Sequence, residues 1–420
     1  MAVRERVAMT TADGSRRVVR GGMVIAGGGD WRPRRADISF AAGRITEIGP
    51  DLDGPTAFDA TGMVIVPGFV NPHLHLGAYF YRFEADRRSL SSFIEFTDRF
   101  YANARGPETT MRDSTYLTLG ESIAYGSTTV AVSKGWTEVA EFGLTGLCLY
   151  PVMRSRSLAP FLMNLREEFH AMADFCSDHD LAYGLFVPSL QHVDEELLAE
   201  VGELLRNDGQ ARVALHILES ATERAEVMQR FGKPPITLLC DNGLLTRRTL
   251  LVHASHANVD EIQAVVDHGA HIVVCPTSNL RLRTGLPPVR SFRENAIPIA
   301  IGSDGPASGM SLGMLDHARL LGIAYADLDF DARDLFDMIT CAPARALGLD
   351  HVVGSLEVGK LMNAVLFDQG QFFCSSDQVL EELVFGSPKQ PRDVMLRGEL
   401  VCKRGVLTSE VLRKVRLCVS

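Results

Sequence analysis

No apolar run in this sequence approaches the roughly 18 residues needed to cross a bilayer. The longest candidate, around residues 63–70, is interrupted by Pro67 and Gly68, so no membrane partner is expected. The first twenty residues are polar and arginine-rich and lack the apolar stretch of a secretory leader, which points to a cytoplasmic protein. Paired cysteines are missing as well. The eight cysteines, from Cys148 to Cys418, stand singly with no CxxC, the pattern of reduced and mostly buried thiols. Basic charge is short: 42 Lys and Arg face 52 Asp and Glu, for a net charge of −10. A nucleic-acid partner, which needs a basic face, is therefore not expected. There is no low-complexity tract and no GxGxxG after the first strand pattern, which argues against a doubly wound nucleotide-binding sheet. Small-molecule chemistry in a soluble globular chain remains open.

The 420 residues, 46% of them apolar and 22% charged, fit a barrel of about 250 residues with a smaller appended domain. Residues 22–59 read as short β-strands, with apolar pieces at 23–26, 36–40 and 44–48 separated by Gly27-Gly28-Gly29 and Gly43. The same texture returns after residue 350, at 364–367 and 393–402. One discontinuous β-sandwich domain, built from 1–63 and 356–420, accounts for both ends.

Between them, buried-strand patterns alternate with helical ones, the mark of βαβ units. The strand patterns fall at 64–70, 128–132, 146–151, 182–188, 212–217, 249–253, 271–275 and 297–301. Helical patterns such as 195–206 and 259–268 lie between them. Eight such strands predict an α/β fold with a (β/α)8 TIM-type barrel over 64–355.

A barrel of this kind carries its active site at the C-terminal ends of the strands. The first strand ends in Asn71-Pro72-His73-Leu74-His75, where alternate residues of an extended chain share a face, so both imidazoles can meet one ion. The fifth ends in His216, the sixth in His253 and the eighth in Ser303-Asp304. Three imidazoles and a carboxylate suit Zn2+ or Fe2+ and leave a position open for water. Each residue alone is weak evidence; their joint order along the strands carries the reading.

On these residues the chain resembles the amidohydrolase superfamily. The likeness rests on Val66-Pro67-Gly68-Phe69-Val70-Asn71-Pro72-His73-Leu74-His75, His216-Ile217-Leu218-Glu219 and His253-Ala254-Ser255-His256. It continues in Cys275-Pro276-Thr277-Ser278-Asn279, in Gly302-Ser303-Asp304-Gly305, and in the closing stretch from Gly354-Ser355-Leu356-Glu357 to Ala364. The spacing is most similar to the branch of S-adenosylhomocysteine, guanine and cytosine deaminases and triazine hydrolases.

The resemblance implies that His73, His75, His216 and Asp304 hold one divalent metal ion, zinc ahead of iron. It also implies that His253 and Asp304 orient or deprotonate the attacking water, and that Glu219 shuttles the proton. The reaction implied is hydrolytic deamination of an amino-substituted nitrogen heterocycle with release of ammonia. The alternative is hydrolysis of a cyclic amide, or of another non-peptide C–N or C–Cl bond, at the same site. Glu223 reads as a solvated residue at the start of the next helix. The fourth strand runs into Pro188-Ser189-Leu190-Gln191-His192 without a lysine that could bridge two metals, which favours one ion. The HxE…PCxxC signature of the other zinc deaminases is absent.

Substrate contacts are expected from Gln191, His192, Arg82 and Asn279. The long loop at 79–105, with Tyr79, Phe80, Tyr81, Phe83, Arg87 and Arg88, reads either as rings and arginines for a flat anionic heterocycle or as a helix covering the barrel. Arg154 and Arg156 lie near the expected mouth. Lys134, after the second strand, reads as surface or packing, with substrate contact as the other option. Residues 217–220, Ile-Leu-Glu-Ser, and a first loop without tryptophans depart from the nucleoside-deaminase pattern and argue against adenosine-type substrates. A homo-oligomer is expected by analogy.

Overall fold

The computed structural model describes residues 14–84, 88–103, 107–154 and 164–416. Arg87 and Arg156 lie outside them. The chain starts in a mixed sheet with β1 (Arg17–Val24), β2 (Arg34–Ala41), β3 (Arg44–Gly49), β4 (Thr56–Asp59) and β5 (Met63–Pro67). It returns there with β14 (Ala364–Asp368), β15 (Asp393–Leu396), β16 (Glu399–Lys403) and β17 (Val406–Leu407). The nine strands run β17-β16-β15-β14-β5-β1-β2-β3, with β4 beside β1, so the two chain ends meet where β14 pairs antiparallel with β5.

The barrel comprises β6 (Phe69–Leu74), β7 (Ser127–Val132), β8 (Thr145–Pro151), β9 (Ala182–Val187), β10 (Arg212–Ile217), β11 (Thr249–His253), β12 (His271–Val274) and β13 (Ile299–Ile301). All neighbours pair in parallel and in chain order. Both faces are buried, which explains their near-continuous apolar sequences. Ala131, Leu147, Leu149, Phe186, Ala214, Leu250 and Val252 fill the interior. Val130, Val132, Cys148 and Leu185 face the helices. The helix Cys341–Leu347 plugs the lower end: its Ala344, Ala346 and Leu347 join the interior cluster, and Arg212 at the start of β10 donates to the Ala346 carbonyl at 2.7 Å.

One strand expectation is corrected. The apolar run 64–70 is two strands, not one: β5 belongs to the mixed sheet, paired with β1 and β14, and the barrel begins at Phe69. Pro67 cannot donate a ladder hydrogen bond, and at Gly68 a Cβ would lie 2.1 Å from Thr128 Oγ1, so the chain crosses between sheets where only glycine fits. The chain therefore passes from the mixed sheet to the barrel strands at Gly68.

No ladder joins β13 to β6. The gap is closed by single contacts at the upper rim. The Asn71 amide donates to Ser303 Oγ at 2.7 Å and accepts from the Ser303 amide at 3.1 Å. The Asp304 N–H donates to His73 O at 3.1 Å and the His75 N–H to Asp304 O at 3.2 Å. Over the rim the helix Leu90–Asn103 presents Phe93, Phe96 and Phe100 to the buried Tyr81. This is the covering helix, and it occupies Tyr81 in packing. Among the described residues no helix is long and apolar enough to cross a membrane, and all cysteines are free thiols.

Candidate metal centre and active site

Alternation in β6 points His73 and His75 into the barrel mouth on either side of Leu74, which turns outward into the core. His216 Nε2 lies 3.1 Å from His73 Nε2 and 3.3 Å from His75 Nε2. Asp304 Oδ1 completes the group at 3.4 Å from His73 Nε2 and 3.2 Å from His75 Nε2. His216 Nδ1 faces the Pro188 carbonyl at 2.9 Å, so the proton sits on Nδ1 and the Nε2 lone pair faces its neighbours. Burial holds His216 well below the ordinary imidazole pKa and lowers His75 to about 4, with the neighbouring His73 adding to both. Three imidazole nitrogens and a carboxylate oxygen thus converge on one point. That arrangement matches the donor set of a small divalent cation. His253 also belongs to the group, its ring nitrogen clustering with those of His73 and His216.

Asp304 is held from its far side. Its Oδ2 accepts from Ser278 Oγ at 2.6 Å. Burial would raise its pKa, but the His73 hydrogen bond and the surrounding imidazoles keep it well below the carboxylate range. His253 is fully buried, its pKa lowered by that burial. Asn279 Nδ2 lies 3.3 Å from His253 Nδ1, 3.1 Å from Ser255 Oγ and 2.9 Å from Thr284 Oγ1. Asn279 is itself fully buried, and its Nδ2 braces the His253 ring while its Oδ1 has no partner among the described residues.

Glu219 reaches the site from the end of β10, its Oε1 3.7 Å from His253 Nε2. Burial, then the Asp304 charge, raise its pKa to about 8, so the carboxylic acid form is populated at neutral pH. The backbone that aims it is unusual. Leu218 has φ 51°, His253 74°, Ala254 48° and Asp304 61°, left-handed conformations that cost a side-chain-bearing residue free energy and gather at functional sites. Glu223 opens the helix Glu223–Phe231, as expected, but it is buried and not solvated. Its Oε2 accepts the Glu219 backbone N–H at 2.8 Å, and burial raises its pKa to about 7.

The other expected contacts scatter. Arg82 forms a two-pronged pair with Glu121 at 2.6 and 2.9 Å and donates to the Met310 carbonyl, so it is committed to holding the first loop. Gln191 is exposed and bonds Glu226, while its carbonyl accepts from Arg230. His192 is exposed at the rim, its carbonyl accepting the Arg154 N–H at 2.6 Å. Arg154 is paired with Asp194 and Glu196, and Arg88 lies over the Phe96 ring. Sequence reasoning missed Ser278, Ser303 and Glu223. The only signals were Ser278 beside Asn279 and the i, i+4 spacing of two glutamates.

A parallel eight-stranded barrel with this donor group at its C-terminal rim defines a hydrolase of the metal-dependent barrel class. The chain belongs to the amidohydrolase family, whose model matches residues 64–401. A 5-methylthioadenosine/S-adenosylhomocysteine deaminase of Halobacterium salinarum is 30% identical over 341 residues, 78% of each chain. Among solved structures, an adenosine deaminase from Xanthomonas campestris with bound zinc superposes with a TM-score of 0.83 at 23% identity, covering 96% of this chain and 97% of that one. A zinc-complexed atrazine chlorohydrolase from Arthrobacter aurescens gives 0.82 at 20%, covering 96% and 100%. The two structures share the fold.

Proposed function

We propose that the protein is a hydrolytic deaminase of an amino-substituted nitrogen heterocycle, with one divalent ion, zinc ahead of iron, held by His73, His75, His216 and Asp304. The observation that carries this reading is the convergence of three imidazole nitrogens on the Asp304 carboxylate beneath a protonated Glu219. When bound there, the ion supplies Lewis acidity that brings the pKa of a water toward neutrality.

The side chains do the rest. Asp304 remains ionised and, with His253, orients the attacking water and accepts its proton. Glu219, in its acid form, protonates a ring nitrogen as the adjacent carbon is attacked. The proton taken from water then passes to the departing amine, the remaining hydroxyl proton returns to Glu219, and ammonia leaves while the ring carbon keeps the oxygen. The deaminase named among the relatives supports this reaction class. Asn279 and Ser278 fix His253 and Asp304 and need not touch substrate.

Ammonia release from aminopurines, aminopyrimidines, pterins and aminotriazines, measured with protein of known zinc content, tests the reading. Wild type should release ammonia from at least one ring class, and Glu219→Gln should lower kcat by about 100-fold or more. Ring opening or chloride release without ammonia would move the assignment to the second hydrolysis.

A further inference from the structure

Lys134 stands two residues past the end of β7, beside the strand that carries His73 and His75: Val132 is in register with Leu74. The loop is pinned there. Gly135 has φ 74° and packs so closely on Leu76 that a Cβ would lie 2.7 Å from its Cδ1. The position of Lys134 next to the residues following His75 is therefore built into a turn that glycine permits.

The Lys134 side chain is accessible and makes no hydrogen bond or ion pair among the described residues. Arg82, Arg154 and Arg224, at the same end of the barrel, are each held by a carboxylate. Loss of solvation lowers the Lys134 pKa with no acid opposing it, and its charge bears on the His75 ring. Two residues on, the Trp136 Nε1–H is buried without an acceptor among the described residues, and its ring lies 6.0 Å from Tyr150 at the end of β8. An unpaired cation beside the donor group is free to donate charge-assisted hydrogen bonds to a ligand anion. In a chain of net charge −10, an anionic ligand needs such a local attractor.

We infer that the substrate ring carries a carboxylate and that Lys134 binds it. The inference rests on the reading of the site as a heterocycle hydrolase, and it narrows that reading to acidic rings.

Calorimetric titration of the zinc-loaded protein with pyridine-3-carboxylate and pyridine-3-carboxamide measures binding without turnover. The two probes differ in charge, and neither can chelate an ion through ring nitrogen and substituent together. The acid should bind wild type at least about tenfold tighter than the amide. Lys134→Met should cut that advantage to about threefold or less, and Lys134→Arg should restore most of it. Failure of the acid to bind wild type, absence of a preference, or the same preference in Lys134→Met overturns the inference. The hydrolase reading is judged apart from this, by whether any aminoheterocycle releases ammonia.

Discussion

Two glutamates four residues apart divide the work at the end of β10. Glu219 stands over the histidines, and Glu223 accepts the Glu219 N–H and so holds the left-handed turn at Leu218. Glu223→Ala strands a buried donor, at a cost of about 1–3 kcal/mol. It should lower kcat by about 10- to 100-fold through misplacement of Glu219, with a smaller change in KM. Glu223→Gln keeps an oxygen in place and should retain most of the activity. Steady-state kinetics and thermal melts of both variants check this; equal damage would mean that the charge, not the acceptor, matters. At this scale the sequence was most informative where a residue ends a strand. His73, His75, His216 and Asp304 all do, and alternation alone aims the first two. The bracing contacts of Asn279 with His253, Ser255 and Thr284 were not legible, because those partners are assembled only by folding. Glu223 was misread because an acid at a helix N-terminus usually faces water.

Among the elements, β13 and β6 depend on the Asn71–Ser303 bracket, since no ladder joins them. Asn71→Ala removes its side-chain hydrogen bonds to Ser303 Oγ, the Ser303 N–H and the His73 N–H, at a cost of about 1–3 kcal/mol for each group left buried and unpaired. It should lower Tm by several degrees and raise the fraction of zinc lost on dialysis, read by melting and by metal analysis of the same samples. An unchanged Tm would show that the rim backbone bonds suffice. Seven of the eight barrel strands were legible to within two residues, because strands buried on both faces give short apolar runs bounded by turn residues. The first was not, because β5 and β6 are equally apolar and only their pairing partners separate them.

For the whole molecule, the histidines set the acid limit of stability. His271 at the start of β12 has its pKa lowered by burial, and then by the Arg212 charge, to about 4. The unfolded side chain titrates near 6.5, so the unfolded state binds more protons between those values. The stability contributed by neutral His271 is complete above about pH 6.5 and is lost as pH falls toward about 4. His75, His216 and His253 shift in the same direction. Glu219 and Glu223, raised by burial to about 8 and about 7, oppose this and prevail above about pH 6.5, so Tm of the metal-free protein should fall chiefly between about pH 6.5 and 5, and His271→Gln should flatten part of that slope. A pH-independent Tm would refute the account. At this scale the discontinuous β domain was foreshadowed by matching textures at the two chain ends, while the closure between the first and last barrel strands had no sequence period to announce it. That closure runs through Asn71, Ser303 and the main chain of His73, His75 and Asp304, the same residues that present the donor atoms. Enclosure and reactivity therefore share one keystone. A lineage of such proteins is free to redraw the loops above the strands and change what it consumes, but it cannot let the donor positions drift without opening the barrel.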